Sequence, residues 1–206
     1  MAAAKKSGTV ELRAIQKRHV SFRIVGISPL IQHQWGEKAK RMMREKHAGK
    51  KTKTRDVRDP KKEFEEAAYR NRAGKFCIPA MALKSAIVGA AHKDLGVEKT
   101  LVRKALFLIC DNDKLIPMDC DEPEMVEDMV RVGQGSADLR YRPYFHRWTV
   151  DVKCEIDAEL LTLDTLCVLV NRAGFGVGIG EWRPEKGGEY GRFEIDTTHK
   201  VEETAA

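Results

Sequence analysis

The chain has little of what metal or redox chemistry needs. Its five cysteines (Cys77, Cys110, Cys120, Cys154, Cys167) are odd in number and widely spaced, and no two form a CxxC pair. The six histidines stand at no zinc-ligand spacing from them. No cluster of carboxylates has ligand spacing either, so neither a metal site nor a cofactor is expected. The cysteines read as reduced thiols, which suits an intracellular protein. No apolar run approaches membrane-spanning length, and the first residues (MAAAKKSGTV) lack the apolar segment of a signal peptide. The expectation is a cytoplasmic protein with no membrane partner. No internal repeat is visible.

What is present is positive charge in one place. The 206 residues are 42% hydrophobic, enough for an ordinary core, and carry a net charge of +6 with a pI near 9.0. Residues 36–75 hold 15 Lys or Arg against 7 Asp or Glu, a local +8, so the remainder of the chain sums to −2. Such concentration suits an element that grips an acidic partner. Within it, Gly36 to Asp59 begins with helix-forming composition and breaks at Ala48-Gly49 into a Lys/Thr run. Lys50, Lys51, Lys53 and Arg55 would add salt-sensitive affinity for phosphates. The same run also reads as a solvated charged loop.

A second stretch, Ala173 to Phe193 (AGFGVGIGEWRPEKGGEYGRF), has glycines at 174, 176, 178, 180, 187, 188 and 191. Absent side chains let backbone amides approach a ligand. Arg183, Lys186 and Arg192 suit a phosphate, and Trp182 and Tyr190 suit a flat ring. A long hairpin whose glycines relieve crowding is the other reading. A third stretch, Met129 to Tyr144, mixes Arg131, Arg140 and Arg142 with Tyr141 and Tyr144 around Gly133 and Gly135. Arginine and aromatic residues in a glycine-containing loop suit stacked bases and held phosphates, whereas a strand with arginines outward explains the same residues.

Periodicity orders the remaining elements. Alternation gives a strand over residues 18–27, with Val20, Phe22 and Ile24 on one face, and another over 148–156. Asp59 before Pro60 predicts a capped helix start. Residues 75–79 form a short strand, 80–93 a helix, 103–110 a buried strand, and 114–118 a second short strand. The acidic residues 119–128 read as a loop. A helix follows over 160–172, with Asp157 or Thr162 and Asp164 at its start, then a closing strand over 192–195. Residues 1–17 form an arm, 18–198 one domain with an insertion at 36–74, and 199–206 a disordered polar tail. Without the insertion the order is strand, helix, strand, strand, helix, strand. The fold class is α+β, a ferredoxin-like βαββαβ antiparallel sheet of the RRM kind, whose uncovered face binds single strands in RNA-recognition modules.

Three motifs in order resemble the RAMP superfamily of CRISPR effector complexes. ISPLIQ (Ile27 to Gln32) resembles its first-strand element, and KFCIPAMALKSAIVGA (Lys75 to Ala90) resembles its strand–proline–helix element through Ile78, Pro79, Leu83, Lys84 and Ala86. The glycine-rich stretch with Gly191, Arg192 and Phe193 resembles its signature loop. Ala80, Met81 and Ser85 depart from the usual small residues. ISPLIQH, EDMVRVGQGSADLRYRP and GFGVGIGEWRPEKGG also resemble a protein family of tailed-phage genomes.

The resemblance implies a non-enzymatic, phage-encoded protein of the host-cell cytoplasm that binds single-stranded DNA or RNA and assembles side by side along it. Lys84, Arg140, Arg142, Arg183, Lys186 and Arg192 are the expected phosphate ligands. Tyr141, Tyr144 and Trp182 are the expected stacking residues. A second possibility is a metal-independent RNA endonuclease using His33, with Lys38 or Tyr69 as helper. A third is a protein-interaction component, an inhibitor or structural part, that binds an acidic protein.

Overall fold

The computed structural model describes residues 14–49, 58–110, 113–132 and 136–206. Lys50, Lys51, Lys53, Arg55, Gly133 and Gly135 lie outside them. In chain order the strands are β1 (Lys17–Gly26), β2 (Leu30–Ile31), β3 (Cys77–Pro79), β4 (Leu106–Ile109), β5 (Leu115–Pro117), β6 (Asp119–Cys120), β7 (Glu124–Val132), β8 (Ser136–Phe145), β9 (Trp148–Asp157), β10 (Phe193–Ile195) and β11 (Glu202–Ala205). The helices are α1 (Glu37–His47), α2 (Pro60–Ala67), α3 (Ala80–Leu95), α4 (Lys99–Ala105) and α5 (Leu163–Arg172). None of them is long and apolar enough to cross a membrane.

The main sheet has the order β10-β1-β9-β4, every pair antiparallel, with β11 also on β1 and β6 on β9. Period-2 alternation puts Val20, Phe22 and Ile24 of β1 and Val150, Val152, Cys154 and Ile156 of β9 on one face. There they pack with Leu83 and Ile87 of α3 and Leu166, Leu169 and Val170 of α5 in one continuous core. Each such side chain contributes about 1.5–3 kcal/mol of transfer free energy. The opposite face is occupied by ion pairs: Arg23 with Asp151 at 2.7 Å and Lys17 with Glu155 at 3.3 Å. Phe107 of β4 lies outside the core and holds the Lys84 ammonium 4.5 Å from its ring. Among the described residues this face therefore offers no row of aromatic side chains for bases, unlike that of an RNA-recognition module.

Local signals explain the helix ends. Asp59 Oδ1 accepts the Lys62 N–H at 3.2 Å, and Pro60 occupies the first turn of α2. Thr162 caps α5 by accepting from Thr165 at 3.3 Å, while Asp157 caps the preceding turn through Glu159. Gly96 ends α3 in the left-handed region, its N–H bonded to Ala91.

Three segments differ from the sequence expectation. Residues 99–105 form α4, so the buried strand expected from Arg103 begins at Leu106; Val102 and Ala105 pack as one helical face before the backbone extends. The tail expected to be disordered supplies β11, since Glu202, Glu203, Thr204 and Ala205 pair with Ser21 back to Arg18. The stretch from 124 to 145, which spans the acidic loop and the arginine–tyrosine loop, is a hairpin of β7 and β8 in register from Glu124↔Tyr144 to Val132↔Ser136. Its three-stranded sheet, β2-β8-β7, is separate from the main one.

Candidate nucleic-acid interface

α5 does not stop at Arg172. It continues as one wide π-helical turn, Ala173–Val177, before the glycine-rich loop begins. The loop is not a hairpin. It folds back through a 3₁₀ turn at Pro184–Lys186 and is pinned by main-chain bonds: Ile179 N–H to Gly191 O at 3.0 Å, Gly191 N–H to Pro29 O at 2.7 Å and Glu181 N–H to Ile31 O at 2.9 Å. Two glycines make this possible. Gly180 has φ +78 and Gly191 φ +66, and a Cβ at either would collide with a carbonyl oxygen, that of Ile31 or Ile179.

Trp182 is the exception in the loop. It is a bulky, non-glycine residue at φ 51, a conformation that costs of order 1 kcal/mol or more. Tyr190 N–H bonds its carbonyl at 3.1 Å, and Gly188 leaves room for that carbonyl. The residue remains 46% exposed.

Between the loop and the β7–β8 hairpin lies an open groove of about 1170 Å³. Arg131, Arg140, Arg142, Trp182, Arg183 and Lys186 all line it, and Glu181 is the one acidic residue among the described lining. Hairpin residues between 129 and 142 and loop residues from 181–186, some forty positions apart in sequence, are thereby brought together. Arg131 and Lys186 are exposed and have no ion-pair partner among the described residues. Arg140 leans on Asp138 at 3.4 Å, and Arg183 is held by Gly180 O at 3.1 Å and Glu185 at 2.9 Å.

Arg142 differs from its neighbours. It is 1% exposed, with Asp128 at 3.2 Å and Glu181 at 3.5 Å, so its charge joins the hairpin to the loop from beneath the groove. Its Nε is buried without a partner. Tyr144 packs edge-on against Tyr190 at 5.8 Å and His146 at 4.8 Å, next to the groove but outside its lining. Tyr141, one position out of phase with Arg140 and Arg142, is turned the other way, towards Glu127 and the α2 side, where Arg58 and Glu63 lie. Lys84 donates to Arg103 O at 3.2 Å and does not reach the groove. Arg192 lies over the Phe175 ring at 5.2 Å, and its N–H bonds Ser28 Oγ at 3.0 Å. Arg131, which the sequence grouped with Arg140 and Arg142 but did not single out as a phosphate ligand, also lines the groove, from its place opposite Ala137 in the hairpin.

His33 lies half-buried beside this assembly. Burial first, then the charges of Arg140 and Arg142, push its pKa below the ordinary value, and Glu181 opposes them. The ring is therefore neutral at neutral pH. Tyr69, raised by burial and by Glu181, lines the same cavity as His33; nothing is described of the Lys38 side chain.

Compared with known proteins, the chain matches no family model and no curated sequence. Its fold is found in a chain of the cryo-EM structure of the Type III-B Cmr-beta bound to cognate target RNA, with a TM-score of 0.50 at 12% identity. The match covers 92% of this chain and 61% of that one, so the protein spans about three fifths of its neighbour's length. Cmr6 from Pyrococcus furiosus aligns over 89% of this chain and 100% of its own, at 10% identity and a TM-score of 0.46. At 12% identity the likeness to the Cmr-beta chain is one of fold alone.

Proposed function

We propose that the protein binds single-stranded nucleic acid in the groove between the β7–β8 hairpin and the glycine-rich loop, without cutting it. The observation that carries this reading is Trp182, held exposed in a strained backbone conformation at the edge of a groove lined by five cations and one carboxylate. Backbone strain at a half-exposed aromatic residue supports a binding role. Arg131, Arg140, Arg183 and Lys186 supply phosphate contacts, and Trp182 stacks a base for about 1–3 kcal/mol. Arg142 holds the groove together from below. The order of the main sheet supports a ferredoxin-like βαββαβ arrangement, and the neighbour of shared fold is one bound to target RNA. Side-by-side assembly along the strand and a phage origin belong to the same reading. Among the described residues β7 has an unpaired edge, and Met125 on that strand is 48% exposed; this is where a second copy would pack.

Fluorescence anisotropy with labelled ssDNA, ssRNA and dsDNA at two salt concentrations tests this. Salt-sensitive binding to a single strand that is recovered uncut is the expected result. No binding to any of them at low salt contradicts it and leaves the basic surfaces to a protein partner.

A second reading, RNA cleavage, is favoured by one observation: the cavity that unites His33 and Tyr69. A neutral imidazole and a tyrosine in one cavity suit general acid–base chemistry. Cut RNA with the wild-type protein, abolished in His33→Ala with binding retained, would establish it.

A further inference from the structure

A second cavity adjoins the groove across a shared wall, Glu181 and Arg183. Its volume is about 430 Å³, in the range that encloses a small molecule. It is built from the pieces that hold the fold together: Pro79, Ala82 and Ser85 at the start of α3, the backbone of Gly178 to Gly180, and His33 and Tyr69. Its polar character is the reverse of the groove's. Glu181 and Glu185 line it; Arg183, the one cation among the described lining residues, is already engaged by Glu185 and by Gly180 O, and Glu181 reaches Arg142 at 3.5 Å from its other side. A phosphate would meet two carboxylates and no free positive charge. A neutral ring meets apolar walls at Leu30, Ile78 and Ile179, with a few hydrogen-bonding groups among them.

His33 lines the cavity, while its Nδ1 lies buried and unbonded behind the wall. Glu181 stands close enough to His33 and Tyr69 to act on the titration of both. The cavity thus offers a two-oxygen acceptor, a ring nitrogen and a phenol hydroxyl.

We propose that this cavity takes one unpaired guanine base from the strand whose backbone lies in the adjoining groove, with Glu181 accepting from the base and His33 completing its contacts. The inference rests on the single-strand reading above. Guanine is the base whose pairing edge carries two neighbouring N–H donors, the ring N1–H and the 2-amino group, which match the two oxygens of one carboxylate. Adenine and cytosine each present a single amino group beside an acceptor. Uracil and thymine present one N–H between two carbonyls, which a carboxylate repels.

The test compares short labelled thymidine strands carrying one central guanine, inosine or abasic site, measured by anisotropy with the full chain. The guanine strand binds about tenfold more tightly than the abasic one, and inosine, which lacks the 2-amino group, falls between them. Ser85→Trp, a substitution at an exposed helix position on the cavity's edge, removes the preference and leaves affinity for the plain thymidine strand unchanged. Free guanosine, followed by NMR, shifts the amides of Gly178 and Gly180. Equal affinity for guanine and abasic strands overturns the inference while leaving the single-strand reading in place, as does a preference that survives Ser85→Trp. Guanosine shifts without any strand binding would do the opposite, and neither signal overturns both.

Discussion

Trp182 and Arg142 show how one residue's environment decides its role. Both stood in the sequence as nucleic-acid ligands, one for stacking and one for phosphate. Trp182 is half-exposed at φ 51 and lines the groove; Arg142 is enclosed between Asp128 and Glu181. Nothing in the alternation of arginine and tyrosine distinguishes Arg140 from Arg142, because burial depends on the loop that crosses over the hairpin. Trp182→Gly separates strain from function. Glycine adopts the left-handed region without a steric penalty, so the melting temperature should hold or rise, with about 1 kcal/mol of strain relieved. Affinity for a single strand should fall by the stacking contribution. A variant that melts earlier and binds as before would contradict the account.

His33 gives the pH dependence at the same scale. Its folded pKa lies below the unfolded value of about 6.5, so the unfolded chain binds the extra proton first. Stability contributed by neutral His33 is present above about pH 6.5, falls as pH drops through that value, and levels off below the folded pKa. His33→Gln should flatten that part of a melting-temperature profile. An unchanged profile would mean the ring is not neutralised by its surroundings.

Among the elements, the main sheet and its two helices were legible. Val20, Phe22 and Ile24 alternate, Asp59-Pro60 caps α2, and the apolar spacing of α3 and α5 names their buried faces. The β7–β8 hairpin was not, since charged residues on both strands hide the alternation and its partner face is a loop. The glycine-rich stretch was legible as a site but not as a shape; its π-helical entry and its bonds to Pro29 and Ile31 are set by distant residues. The hairpin is moored to α2 where Arg58 bridges Glu63 at 2.7 Å and Asp138 at 2.9 Å. Arg58→Ala should speed amide hydrogen exchange in residues 136–142 and weaken strand binding severalfold, while exchange in β1 and β9 stays slow. Exchange that rises equally in the main sheet would show that the hairpin is not an independent element.

For the whole molecule, the charge distribution has two parts. The basic insertion carries the chain's excess of cations, and its Lys50 to Arg55 run lies outside the described residues. The groove gathers its cations from elsewhere, from a hairpin and a loop that composition treats as ordinary. Net charge alone would assign all binding to the insertion. In the proposed interface Trp182 is the base-contacting residue, and the adjoining cavity is the proposed seat of an inserted base.

The groove is tested most directly by the salt dependence of single-strand affinity in Arg131→Ala/Lys186→Ala against wild type. Both residues are exposed and ion-pair with no described residue, so the fold should melt as before. The account predicts weaker binding and a log–log salt slope smaller by about 1.4, the share of two released counterions on a single strand. An unchanged slope and affinity would place the nucleic acid elsewhere on the protein, or nowhere on it.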